Sequence, residues 1–431
     1  MVTTADKERV LSRIRGEDLT ELVLALAQIE SPSGQERAIG DYLYNWLQEE
    51  GFVPRRVGML PERFNVAGIL RGKGTGCRLL FNAHMDTAPP MKESERQGAM
   101  WRTGWLEGDR LYGGPIMNDK GPMACFMIAA KAIKDSGVEL NGDLILTMVC
   151  GEIGRQPVKE IVPPEQYGRE VGARWLITHG PYAYADFAIV AEATGATCTW
   201  VECGEAHFQV TIRTERPVYM PHMVRPATLE QSQNAVVRAS AYVQAFERWA
   251  QDVYEKRWRY EFDGGVVIPK AGIGSINGGD PTVSGGMPDV CRISLCFFTP
   301  PNIDAYWIEQ ELVELGRSLD IPVAVEMYTF QRGYDGRGVE PLVEAIASAH
   351  TEVVGEPPKP VPPPVTSMWR DVNVFNEAGM PSATYGPGAS TGMYGQQGAI
   401  FVTVDELVAV SKVYALTALD LCNRERAGTR A

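Results

Sequence analysis

A histidine and an aspartate stand two residues apart where an apolar run ends, in Leu79-Leu80-Phe81-Asn82-Ala83-His84-Met85-Asp86. Side chains on a strand alternate with period two, so His84 and Asp86 point to the same side. Such a pair suits metal binding. The imidazole binds an ion through one nitrogen, and the carboxylate takes the N–H of the other, fixing tautomer and basicity. A polar strand end would explain the pair more simply. Three more carboxylates argue otherwise: Asp119, Glu152 and Glu192 each lie near the end of an apolar segment. They recur at intervals of about 30 to 40 residues, the length of one βαβ step. His84, Asp119, Glu152 and Glu192 taken together predict a metal site.

The elements that must position these groups follow from periodicity. Residues 6–30 and 35–50 read as two helices, the second apolar at Ile39, Leu43 and Trp46. Strands are expected over 65–71 and 77–84. The glycine-rich Gly113-Gly114-Pro115-Ile116-Met117-Asn118-Asp119 leads into a helix over 122–136. Asp119 is therefore a helix N-cap, a ligand aimed inward from a helix start, or both. DLILTMVCGEIG forms a strand with Glu152 at its carboxyl end, and ADFAIVAEATGA forms another ending at Glu192. Ligands in open α/β sheets bind outside the carboxyl ends of strands.

From about residue 205 the pattern changes to strand (HFQVTIRT), helix (228–248), two strands, helix (303–318) and strand (322–329). That order describes an α+β sandwich. The expected division is residues 1–204 and 331–431 as one α/β catalytic domain, with 205–330 inserted as a lid. A helix over 340–353, the stiff Pro-rich EPPKPVPPPV, a helix over 371–378, the strand PSATYGPG and a helix over 404–425 complete the chain.

The 431 residues suffice for two domains with full cores. A net charge of −13 argues against nucleic acid or anionic membrane as partners. No apolar run reaches the length of a membrane span, and the polar start of the chain predicts a cytoplasmic protein. The eight cysteines include no CxxC pair and read mostly as small core residues. His207, His179 and His350 lie in no motif and receive no role.

Several stretches, AHMDTAP, MNDKGPMA, CGEIG, FAIVAEATG, QNAVVRA, PDVCRISLCFFTPP and MWRDVNVFNEAGMPSATYGPG, occur in the order found in one group of proteins. The chain resembles the aminoacylase, acetylornithine deacetylase and carboxypeptidase-G family of metallohydrolases. The resemblance implies a zinc-peptidase-like α/β domain with a mixed central sheet flanked by helices. It also implies an inserted α+β lid that pairs with another lid in a homo-oligomer, and hydrolysis of a C–N bond. It assigns His84, Asp119 and Glu192 as metal ligands and Asp86 as the carboxylate orienting His84.

The departures from the family pattern matter as much. Two adjacent glutamates of the family are Gly151 and Glu152 here. Matched on the following Ile153-Gly154, Glu152 takes the place of a ligand and Gly151 that of the base; a shift by one makes Glu152 the base. The late metal-binding histidine falls near Gln396. The lid histidine falls near Tyr219, with His222 close by, and the lid arginine falls near Phe298. Phe298 would offer substrate an aromatic face, although it and Phe297 also suit a lid core. Arg370 would replace the lost carboxylate clamp, or pair structurally with Asp371.

With fewer ligands, the expected arrangement is one divalent ion (Mn, Zn, Co or Fe) on His84, Asp119 and Glu192, with Glu152 as general base. A second ion is not expected. The implied substrate is a small aromatic molecule, as in hydrolytic deamination of 5-nitroanthranilate to 5-nitrosalicylate and ammonia. Deacylation of N-acyl amino acids, dipeptide cleavage, and an inactive binding protein of the same fold are the alternatives.

Overall fold

The computed structural model describes residues 2–88, 102–154, 168–180, 185–283, 285–388 and 400–426. The chain divides into two compact units, Met1–Trp200 with Asp335–Val365 and Arg370–Ala431, and Val201–Tyr334 with Thr366–Trp369. Residues 366–369 fall within the closing part of the expected catalytic domain. They group with the second unit, where the Cys203 N–H donates to the Thr366 carbonyl and the Thr366 hydroxyl donates to the Val266 carbonyl.

In the first unit a six-stranded sheet runs in the order Arg55–Leu60, Arg63–Leu70, Leu144–Val149, Leu79–His84, Phe187–Ala191, Ser382–Tyr385. The first two strands join antiparallel, and the last four are mutually parallel. Leu79–His84 is buried along its whole length, which explains its unbroken apolar character. Phe81 stacks on Phe126 of the helix Gly121–Ser136 and meets Tyr414 of the helix Val404–Leu421.

The helix expected over 6–30 is two helices, Thr4–Leu11 and Gly16–Gln28. Ser12 caps the first, and Arg15 enters the second in an extended conformation, so the chain bends where the apolar pattern alone reads as continuous. The strand Arg55–Leu60 has no counterpart in the sequence reading. Its basic residues hide an edge strand.

Arg63 and Glu36 form a buried bidentate pair, with N–O distances of 2.9 and 2.7 Å. Burial raises the Glu36 pKa despite Arg63. Arg63→Ala would leave a buried carboxyl without its guanidinium and is expected to destabilise the chain by about 3–5 kcal/mol, read by chemical denaturation.

The second unit carries a four-stranded antiparallel sheet in the order Lys270–Gly278, Val290–Thr299, Gly204–Arg213, Val323–Gln331. The helices Ala235–Trp249 and Ala305–Ser318 complete the expected strand–helix–strand–strand–helix–strand order. The first starts at the Asn234 cap, later than position 228. Ala206, Phe208, Val210 and Ile212 alternate into its core beside Phe297 and Tyr242. Among the described residues no helix is long and apolar enough to cross a membrane.

Candidate metal centre

Three parallel strands deliver the site. His84 ends the central strand, Glu192 follows Phe187–Ala191 directly, and Glu152 lies three residues beyond Leu144–Val149. Register pairs His84 with Val149 and Asn82 with Val190, so all three chains leave the sheet at one edge. The apolar strands thus bury carboxylates they could not hold within their own length.

Asp119 reaches the same place from the turn before Gly121–Ser136. It makes no helix cap: Lys120 occupies that position without a side-chain cap bond. Instead Asp119 Oδ2 accepts the backbone N–H of His84 at 3.2 Å. Asp119 Oδ1 is buried and has no hydrogen-bond partner. A buried acceptor left bare is costly, and a cation would satisfy it. One donor atom each from His84, Asp119 and Glu192 lies within 4.8 Å of the others. An imidazole and two carboxylates are a fitting set for a divalent transition ion.

The imidazole is pinned at one ring nitrogen. Its Nδ1 lies 2.9 Å from the Asp86 main-chain carbonyl, which can only accept, so Nδ1 carries a proton. Nε2 therefore faces Asn118 Oδ1 at 2.7 Å, Glu192 Oε1 at 3.7 Å and Glu152 Oε2 at 3.9 Å. The Asp86 carboxylate was expected to take the imidazole N–H. Its nearest oxygen is 3.5 Å from Nδ1, and the carboxylate is spent elsewhere. Asp86 accepts the backbone N–H groups of Glu152 and Ile153 at 3.0 and 3.1 Å, and the Ser33 hydroxyl. One aspartate thus orients His84 through its main chain and fixes the Glu152 turn through its side chain.

Gly151 permits that turn. Its φ is +74°, and a Cβ there would come within 2.9 Å of Arg63 Nη2 and of Val171. A glutamate at this position would be strained.

The carboxylates share a buried pocket of like charge. Burial, then Glu192, holds the Asp119 pKa well above the carboxylate range. Burial pushes Glu152 up to about 7, with His84 opposing and Glu192 adding to the rise. For His84, burial disfavours the imidazolium, yet Asp86, Glu152, Asp119 and Glu192 hold its pKa well above normal. Burial opposes ionisation of Asp86, but His84, Ser33 and the Glu152 N–H leave it below the usual range.

Arg370 is buried, with Nε 3.4 Å from Glu192 Oε2 and Nη1 donating to the Val365 carbonyl at 2.8 Å. The carboxylate beside it is Glu192. Asp371 accepts instead from Asn82 Nδ2 at 2.9 Å, and Asn82 Oδ1 takes the Thr147 hydroxyl at 3.0 Å.

The structure thus gathers His84, Asp86, Asp119, Glu152, Glu192 and Arg370. Tyr219, His222 and Phe298 belong to the second unit. Tyr219 is 58% exposed on a short strand, and His222 is exposed in the turn Met220–His222. Phe298 is half-buried, on the face opposite Phe297, which is core. Gln396 lies outside the described residues. Sequence reasoning missed Ser33, Asn82 and Asn118. Asn118 adjoins Asp119 in the quoted motif, but Ser33 and Asn82 carried no signal beyond being polar among apolar neighbours.

Residues 80–420 match the model of peptidase family M20/M25/M40. N-formyl-4-amino-5-aminomethyl-2-methylpyrimidine deformylase of Bacillus subtilis is 29% identical over 201 residues, 43% of each chain. A succinyl-diaminopimelate desuccinylase of Gluconobacter oxydans is 32% identical over 127 residues, 28% of each. The aligned part therefore spans less than half the length of either relative. Among solved structures, a di-peptidase of Saccharomyces cerevisiae superposes with a TM-score of 0.68 at 13% identity, covering 97% of this chain and 99% of that one. Human carnosine dipeptidase 1 gives 0.65 at 15% identity, covering 96% and 99%. These likenesses show the shared fold. The chain belongs to peptidase family M20/M25/M40.

Proposed function

We propose that the chain hydrolyses a C–N bond of a small aromatic substrate, with one divalent ion on His84, Asp119 and Glu192 and with Glu152 as general base. The observation that carries this reading is the make-up of the three-donor set. Glu152 is outside it, yet its Oε2 is 3.9 Å from His84 Nε2. An ion held there, whether Mn, Zn, Co or Fe, supplies Lewis acidity that lowers the pKa of water. Glu152 takes a proton from the attacking water and returns it to the leaving nitrogen. Its fixed backbone, anchored on Asp86, keeps the carboxylate in place through both transfers. Arg370 steadies Glu192.

The aromatic part of the proposal rests on the departures from the family pattern, above all Phe298 where that pattern has arginine. Its concrete form is replacement of the amine of 5-nitroanthranilate by hydroxyl. Hydrolysis of a dipeptide or N-acyl amino acid is the second reading, favoured by the dipeptidases among the structural neighbours. Pairing of second units into a homo-oligomer belongs to the same proposal; Tyr219, Met220 and Val224 are exposed apolar groups there. The test is an assay of the metal-loaded chain for ammonia release from 5-nitroanthranilate and other aminobenzoates, beside hydrolysis of dipeptides and N-acyl amino acids. Ammonia from the aryl amine supports the first reading. Amide cleavage without it replaces the first reading by the second, and turnover of neither leaves a binding protein.

A further inference from the structure

The second unit holds a cluster of side chains that the hydrolytic chemistry does not use. Glu205 and His207 lie two apart on the strand Gly204–Arg213, so they share a face. Cys296 is the direct cross-strand partner of His207 on Val290–Thr299 and joins them. That face is opposite the one that Ala206, Phe208, Leu295 and Phe297 turn to the core. Cys296 is accordingly half-buried, while the other seven cysteines are buried. His207 Nε2 is 2.7 Å from Glu205 Oε1. Cys296 Sγ is 3.6 Å from the same oxygen and 3.9 Å from His207 Nε2.

We propose that Glu205, His207 and Cys296 form a second divalent-metal site, built wholly within the second unit and suited to zinc. One donor atom from each lies within 4.8 Å of the others. Around a tetrahedral zinc, bonds of about 2.0–2.3 Å to nitrogen, oxygen and sulfur leave the donors well over 3 Å apart. The two sulfur distances already meet that. The Glu205–His207 hydrogen bond must open, by less than an ångström. Binding releases the Cys296 thiol proton to solvent, and the thiolate, imidazole and carboxylate leave the fourth position to water. A thiolate selects zinc or cobalt over the hard ions magnesium, calcium and manganese. Two strands pin the donors, so little ordering remains to be done at binding.

Sulfur separates this site from the one at His84, Asp119 and Glu192, which has none. The full chain is stripped of metal and titrated with cobalt(II) while the near-ultraviolet thiolate-to-cobalt charge-transfer band is followed. The band is expected to appear and saturate in the wild-type chain and in His84→Ala. It is expected to vanish in Cys296→Ser. In His207→Ala, which keeps the thiol, the titration is expected to shift to higher cobalt concentration. No band in the folded wild-type chain would overturn the proposal, as would a band that persists in Cys296→Ser. An unshifted titration in His207→Ala would overturn it even if the serine variant failed to fold.

Discussion

Glu152→Gln is expected to lower turnover by about 10²- to 10⁴-fold, the usual contribution of a positioned general base, while the bound ion stays. The amide keeps the shape of the side chain and the backbone bonds from Glu152 and Ile153 to Asp86. What it removes is the capacity to accept a proton. The three donors His84, Asp119 and Glu192 are left in place by the change. Steady-state kinetics and metal analysis of the same preparation read the two effects separately.

Asp119→Asn is expected to abolish activity by the other route, through loss of the ion. Metal affinity should fall by more than the roughly 10- to 100-fold that follows loss of an outer-shell partner, because Asp119 is one of the three proposed donors. The asparagine oxygen can still accept the His84 N–H, so the strand end keeps its position. The metal-free variant is then expected to unfold no more readily than the metal-free wild type. In the wild type Asp119 Oδ1 is buried without a partner, and burial and Glu192 disfavour its charge. A neutral amide relieves that repulsion. Metal analysis and thermal unfolding with and without chelator test both halves.

Much of this site is legible in the sequence because its geometry is carried by strands. A buried parallel strand reads as an unbroken apolar run, and the first ionisable residue beyond it lands at the sheet edge. His84 and Glu192 are found that way, and the βαβ spacing supplies Glu152. Asp119 was legible as a choice between cap and ligand. Its contact with the His84 backbone decides against the cap, and that contact joins residues distant in sequence.

The role of Asp86 was only half legible. Period two places it beside His84, but nothing local shows that its carboxylate would be claimed by the turn at Glu152. Arg370 adjoins Asp371 in sequence yet has its ion pair with Glu192, because the tertiary fold decides between neighbouring carboxylates. The break between Leu11 and Gly16 was hidden by an apolar pattern that continues across it. His207 and Cys296 come together only through the pairing of two strands, and no motif records cross-strand register.

Glu152 is proposed as the base beside a single ion held by His84, Asp119 and Glu192. The most direct test is the metal content of Glu152→Gln against wild type and His84→Ala, measured after equal dialysis and beside turnover. Glu152→Gln is expected to keep the full wild-type complement with turnover lost, and His84→Ala to hold one ion fewer. An ion lost together with Glu152 would contradict that role, and would make Glu152 a ligand.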